Sequence, residues 1–116
     1  MDLATLRAAL WTVRALLQAR RRLRRGLDGR RVPPPPRLPR SAGRRVRGVL
    51  RRWPATCLER ALVLQRWEAA HGSPRPVVIG VRGPAEEFQA HAWLEGEPDP
   101  VAAEYHELTR LEPDFR

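Results

Sequence analysis

The chain contains no lysine, a single cysteine and no apolar stretch long enough to cross a bilayer. Each shortage closes off a class of protein. One cysteine cannot form an internal disulfide, which argues for a reducing compartment and against a disulfide-stapled secreted domain. No window reaches the about 20 apolar residues that a spanning helix needs. The first apolar stretch is broken by Arg7 and Arg14, and no small-residue cleavage site follows it. No secretory signal is therefore read, no transmembrane segment is expected, and the expected location is cytoplasmic. Three scattered histidines and one cysteine lack the close ligand pairs of a zinc site, and there is no Gly-rich phosphate loop. Neither a metal nor a cofactor is expected.

What is abundant is arginine. All 22 basic residues are Arg, against 13 acids, for a net charge of +9 over 116 residues. The charge is lopsided: residues 1–52 hold only two acids, Asp2 and Asp28, whereas 86–114 are acidic. A basic half suits an anionic peptide, a nucleic acid or an anionic surface. Nucleic acid is not expected, because only Trp11 and Trp53 interleave the arginines. A length of 116 residues supports one small core.

Residues 3–25 read as an amphipathic helix, with Leu3, Leu6, Leu10, Val13, Leu16 and Leu17 at helical spacing and a basic tail, Arg20 to Arg25. Gly26 and Gly29 end it, and Val32-Pro33-Pro34-Pro35-Pro36 forms a stiff extended connector. The chain thus divides into a basic helix with its connector, 1–40, and a core, 41–116. Ser41 is placed to cap a short helix through about Arg52, with Val46, Val49 and Leu50 on one face. Thr56-Cys57-Leu58-Glu59 matches a capping box and opens a mostly apolar helix to His71, which Gly72 terminates. Strands follow at Pro76–Val81 and Phe88–Glu95, with His91 and Trp93 on one face of the second. Gly96 to Pro100 is turn material, and Tyr105–Leu111 reads as a last strand, with a short helix over Val101–Leu108 as the alternative.

Cys57 and His91 carry the chemistry. A cysteine in the first turn of a capped helix meets free N–H groups and the positive end of the dipole, which favour thiolate. The same N–H groups are placed to hold an oxyanion. A strand packed on that helix could bring His91 to the sulfur as general base and acid. Set against this, a lone cysteine is often a small buried hydrophobe, and a mid-strand histidine a satisfied structural one. His71, at a helix end, and His106, in the tail, read as solvated.

Thr56-Cys57-Leu58-Glu59-Arg60-Ala61-Leu62-Val63-Leu64, Val78-Ile79-Gly80-Val81-Arg82 and Phe88-Gln89-Ala90-His91-Ala92-Trp93-Leu94-Glu95 together resemble the B2 proteins of lasso peptide biosynthesis. The resemblance covers about residues 41–111 and rests on the order and spacing of these three blocks. It implies an α+β fold, a papain-like or transglutaminase-like core with N-terminal helices and a small antiparallel sheet packed on the cysteine helix. It implies a cysteine peptidase that removes the leader from a ribosomally made precursor peptide. Cys57 would be the nucleophile and His91 the base. The family's acid, on the strand returning from the histidine strand, falls here at Ala103. Glu104, one residue on, is the first choice if residues 101–105 pair back. Asp99 and Glu97 are the alternatives, and Glu95 shares the histidine face. The implied partners are the precursor's leader, a separate leader-binding protein and a synthetase-like cyclase. Two other functions stay open: a cysteine-dependent acyl transferase forming amides in another peptide pathway, and a non-enzymatic Arg-rich binding module.

Overall fold

The computed structural model describes residues 2–114. Three helices, α1 (Leu3–Arg24), α2 (Gly43–Arg52) and α3 (Cys57–Ala70), precede the strands β1 (Val77–Arg82), β2 (Gln89–Leu94) and β3 (His106–Leu111). The strands form one antiparallel sheet in the order β2-β1-β3. The chain is an α+β protein, as the resemblance implies.

α1 begins where Asp2 accepts the Thr5 N–H, 2.7 Å, and ends at the expected place. Of the leucines at helical spacing, its buried face takes only Leu16. Ala8, Trp11, Ala15, Leu16 and Ala19 face inward, while Leu3, Leu6, Leu10 and Leu17 are 45% to 70% exposed. The reason is steric. The alanines let α1 approach α2 and α3 closely, and Trp11 fills the remaining space, with its ring 5.8 Å from that of Trp67. The Trp11 indole N–H donates to the Pro33 carbonyl, so the proline connector runs along this helix.

α2 buries Val46 and Leu50 and half-buries Val49. Ser41 does not cap it; a 3-10 turn over Arg40–Ala42 leads in instead. α3 is the central element. Its capping box is complete: the Glu59 N–H donates to Thr56 Oγ1, 3.1 Å, and the Thr56 N–H to Glu59 Oε1, 2.9 Å. Buried residues run round most of its surface, from Ala61, Leu62 and Val63 to Trp67. Gln65 is also buried, and its amide nitrogen donates to the carbonyls of Arg75 and Leu111. That one side chain pins α3 to the start of β1 and the end of β3. His71, expected to be solvated, is half-buried. Its two ring nitrogens bridge the carbonyls of Trp67 and Leu38.

The segment after β2 does not fold back onto β2. It crosses through a 3-10 turn, Ala102–Glu104, and β3 pairs with the far side of β1, Val77 opposite Leu111 and Val81 opposite His106. Both readings of 101–111 hold a part: a helical turn first, then a strand.

Candidate active site

Cys57 is the first residue of α3 and is half-buried. The amides of Cys57 and Leu58 have no intrahelical carbonyl to donate to, and the capping box uses only that of Glu59. The box is itself braced. Arg20 reaches from α1 to both Glu59 oxygens, Nη2 to Oε1 at 3.2 Å and Nε to Oε2 at 3.3 Å. Burial raises the Glu59 carboxyl, but Arg20 and the Thr56 amide outweigh it and hold its pKa below the ordinary value.

α3 packs mainly on β2. Cys57, His91, Trp93 and Asp99 line one open cleft of about 350 Å³ between them, with Leu50 and Leu64 among its apolar walls. A larger cavity of about 430 Å³, between α1 and the proline connector, is lined by arginine and proline, with no cysteine or histidine in it.

His91 is fixed from three sides. Its Nε2 lies 2.7 Å from Asp99 Oδ2. Nε2–H is therefore the donor to the carboxylate in the neutral tautomer, which leaves Nδ1 as the basic atom. The Trp93 ring stacks on the imidazole, 5.6 Å between centroids, and Tyr105 lies 5.2 Å away. Gly80, opposite His91 in the β1–β2 register, makes this crowding feasible. A Cβ there would lie 2.9 Å from Tyr105 Cβ and 3.0 Å from Trp93 Cη2.

Asp99 holds its place through its own backbone turn. Oδ1 accepts the N–H groups of Val101, 3.0 Å, and Ala102, 3.1 Å. Burial acts upward on its pKa, but the His91 contact and the two amides together carry it below the ordinary aspartate value. The turn is clamped one step earlier. Arg47 Nε binds Glu97 Oε1 at 2.6 Å, and Arg75 reaches both Glu97 and the Glu95 carbonyl. Arg47 holds the Glu97 carboxyl below its usual pKa. Both arginines also pair with Glu68, a buried carboxylate on α3. Gly96, at φ +84°, makes this turn where a Cβ would meet Arg75 Nη1 at 2.8 Å.

The structure thus places Asp99, not Glu104, on His91. Glu104 sits at the end of the crossover, bound to Arg82 at 2.7 Å, because residues 101–105 travel toward β1 rather than pairing with β2. Glu97 reaches the cleft wall but is engaged by arginines, Glu95 pairs with Arg110, and Ala103 lies in the 3-10 turn. His106 is exposed in β3. Sequence reasoning missed Arg47, Arg75, Gly80 and Tyr105. A glycine inside the run Val77-Val78-Ile79-Gly80-Val81 was the available signal, since glycine within a strand marks close approach. Among the described residues no group of three or more His, Cys, Asp or Glu side chains could hold a metal ion.

The arrangement offers a thiol, an imidazole with its tautomer set by a carboxylate, and two outward-facing amides at the sulfur end. These are the parts of nucleophilic acyl chemistry. The family model described as the Transglutaminase-like superfamily matches residues 3–113, so the match takes in α1 as well as the cleft. No curated protein and no solved structure matches the chain.

Proposed function

The chain belongs to the transglutaminase-like superfamily, whose enzymes are generally cysteine-based, and from that premise we propose that it is a leader peptidase of lasso-type peptide biosynthesis. The observation that carries this reading is the meeting of Cys57, at the capped start of α3, with the His91–Asp99 pair in one cleft. The three sequence blocks that carry the resemblance supply α3, β1 and β2, the elements that build and back that cleft.

The proposed reaction runs as follows in this geometry. His91 Nδ1 accepts the Cys57 thiol proton as sulfur attacks the carbonyl at the leader–core junction. The oxyanion is held by the amides of Cys57 and Leu58. The imidazolium passes its proton to the departing core amine, the C–N bond breaks, and the leader remains as a thioester on Cys57. Water, deprotonated by His91, then attacks the thioester and releases the leader as a carboxylic acid. Asp99 holds the ring in the productive tautomer and stabilises its cation. The substrate would be a precursor peptide, presented by a separate leader-binding protein, with the freed core passing to a synthetase-like cyclase.

The test is incubation of the purified protein with a precursor peptide and its leader-binding protein, followed by mass spectrometry. Wild type should cut once, at the leader–core junction, and Cys57→Ala and His91→Ala should not cut. Cleavage by a folded Cys57→Ala variant sinks the proposal. An amide product formed only with an added amine would assign acyl transfer to the same thioester. Steeply salt-dependent peptide binding with no chemistry would assign a binding module.

A further inference from the structure

The outer face of α1 is apolar and uncovered. Leu3, Leu6, Leu10, Val13 and Leu17 follow one another at alternating steps of three and four, the a/d spacing of a coiled-coil seam. The four leucines are among the most exposed large apolar side chains of the protein, with Val13 half-buried. The opposite face, with Ala8, Thr12, Ala15 and Ala19, is already packed against the core. At its C-terminal end the seam opens into a groove of about 630 Å³, lined by Leu10, Val13, Leu17 and half-exposed Trp53.

One flank of the seam carries a single charge. Arg7, Arg14 and Arg21 each follow a d position and so form its e row, all exposed. α1 contains no acidic residue from Leu3 to Arg24, and these three arginines make no ion pair among the described residues. An e row of one sign specifies the charge of its partner.

We propose that this face docks an amphipathic helix of a separate protein, with apolar a and d residues and Asp or Glu along the flank that meets Arg7, Arg14 and Arg21. The seam, Leu3 to Leu17, spans about 21 Å at 1.5 Å per residue, enough for four turns of a partner. A second copy of this chain fits poorly. Antiparallel packing sets the arginine row against itself, and parallel packing sets it against Ala9 and Leu16. A bilayer surface fits less well than a helix, because a strict a/d seam is narrower than the broad apolar face of an interfacial helix. The inference does not involve Cys57 and stands apart from the peptidase reading.

Fluorescence anisotropy with two synthetic three-heptad peptides tests it. Both carry Leu at a and d; one has Glu at e and g, the other Lys. The full-length protein should bind the Glu peptide about tenfold or more tighter than the Lys peptide at low salt. The triple variant Arg7→Glu, Arg14→Glu, Arg21→Glu should reverse that order. The double variant Leu6→Glu, Leu10→Glu, with its helicity checked by circular dichroism, should bind neither. Cys57→Ala should bind as wild type does. Equal binding of the two peptides, or binding of neither, overturns the proposal. So does a wild-type dimer in sedimentation equilibrium that the leucine variant dissolves, or pelleting with phosphatidylserine vesicles that the leucine variant abolishes.

Discussion

The cleft and the outer face of α1 are both built from arginines and apolar side chains, and they hold them in opposite ways. Around the cleft the carboxylates are answered within the chain. Asp99 meets His91 and two amides, Glu97 meets Arg47 and Arg75, and Glu59 meets Arg20. On α1, the leucines are bare and the arginine row faces solvent. A region whose polar groups are mutually satisfied is pre-organised, which chemistry requires. A region with one sign of charge beside exposed leucines is completed from outside. Arginine count alone would have treated the two alike.

Substitutions in the two regions should therefore separate sharply. With Cys57 and His91 both in place, the largest effect is expected from Asp99→Asn. It should lower the cleavage rate by at least about 100-fold, because His91 loses the group that sets its tautomer, while circular dichroism stays native. The same side chain sets a pH limit. The folded-state pKa values of Asp99, Glu59 and Glu97 are all held below their ordinary values. Their contribution to stability is complete above the unfolded-state carboxylate values of about 4 and is lost as pH falls through the lower folded values. Thermal melts should be flat with respect to these three groups above about pH 5 and fall below about pH 4. Asp99→Asn should remove part of that fall.

Gly80→Ala comes next. The added Cβ drives Tyr105 and Trp93 apart around His91, at an expected cost of about 1–3 kcal/mol in a urea melt. Cleavage should fall with it. Arg47→Ala should cost about 1–2 kcal/mol: it leaves Glu68 and Glu97 dependent on Arg75, but Arg47 is itself 31% exposed, so solvent recovers part of the loss. The smallest effect belongs to α1. The triple arginine reversal should move stability by no more than about 0.5 kcal/mol per substitution and leave cleavage of a short peptide spanning the leader–core junction unchanged. If that variant unfolds, the outer face is structural and the contrast between the two regions fails.

Much of the cleft was legible because its signals are local. Thr56 and Glu59 sit three apart, so the capping box and the helical start at Cys57 follow from the residues themselves. His91 and Trp93 share a face because a strand alternates. The carboxylate on His91 was harder. Glu104 is favoured only if the chain returns along β2. The crossover to the far side of β1 depends on long-range pairing, Val81 with His106 and Val77 with Leu111, which no local pattern encodes. Asp99 wins because it lies before the crossover departs. The buried face of α1 was not legible for a different reason. Its leucines form the stronger periodic pattern, but alanines permit the closer approach, and Trp11 against Trp67 decides which side faces in.

The residue that closes the α1 groove, Trp53, lies just ahead of Pro54, Ala55 and Thr56, the short run that ends at the sulfur. Its carbonyl also receives Arg60, a side chain of the cleft. A partner seated on α1 would therefore hold any peptide it carries within a few residues' reach of Cys57. Such tethering replaces diffusion by an effective concentration that reaches the millimolar range for short flexible linkers. A cleft supplied in this way would need little affinity of its own for the peptide.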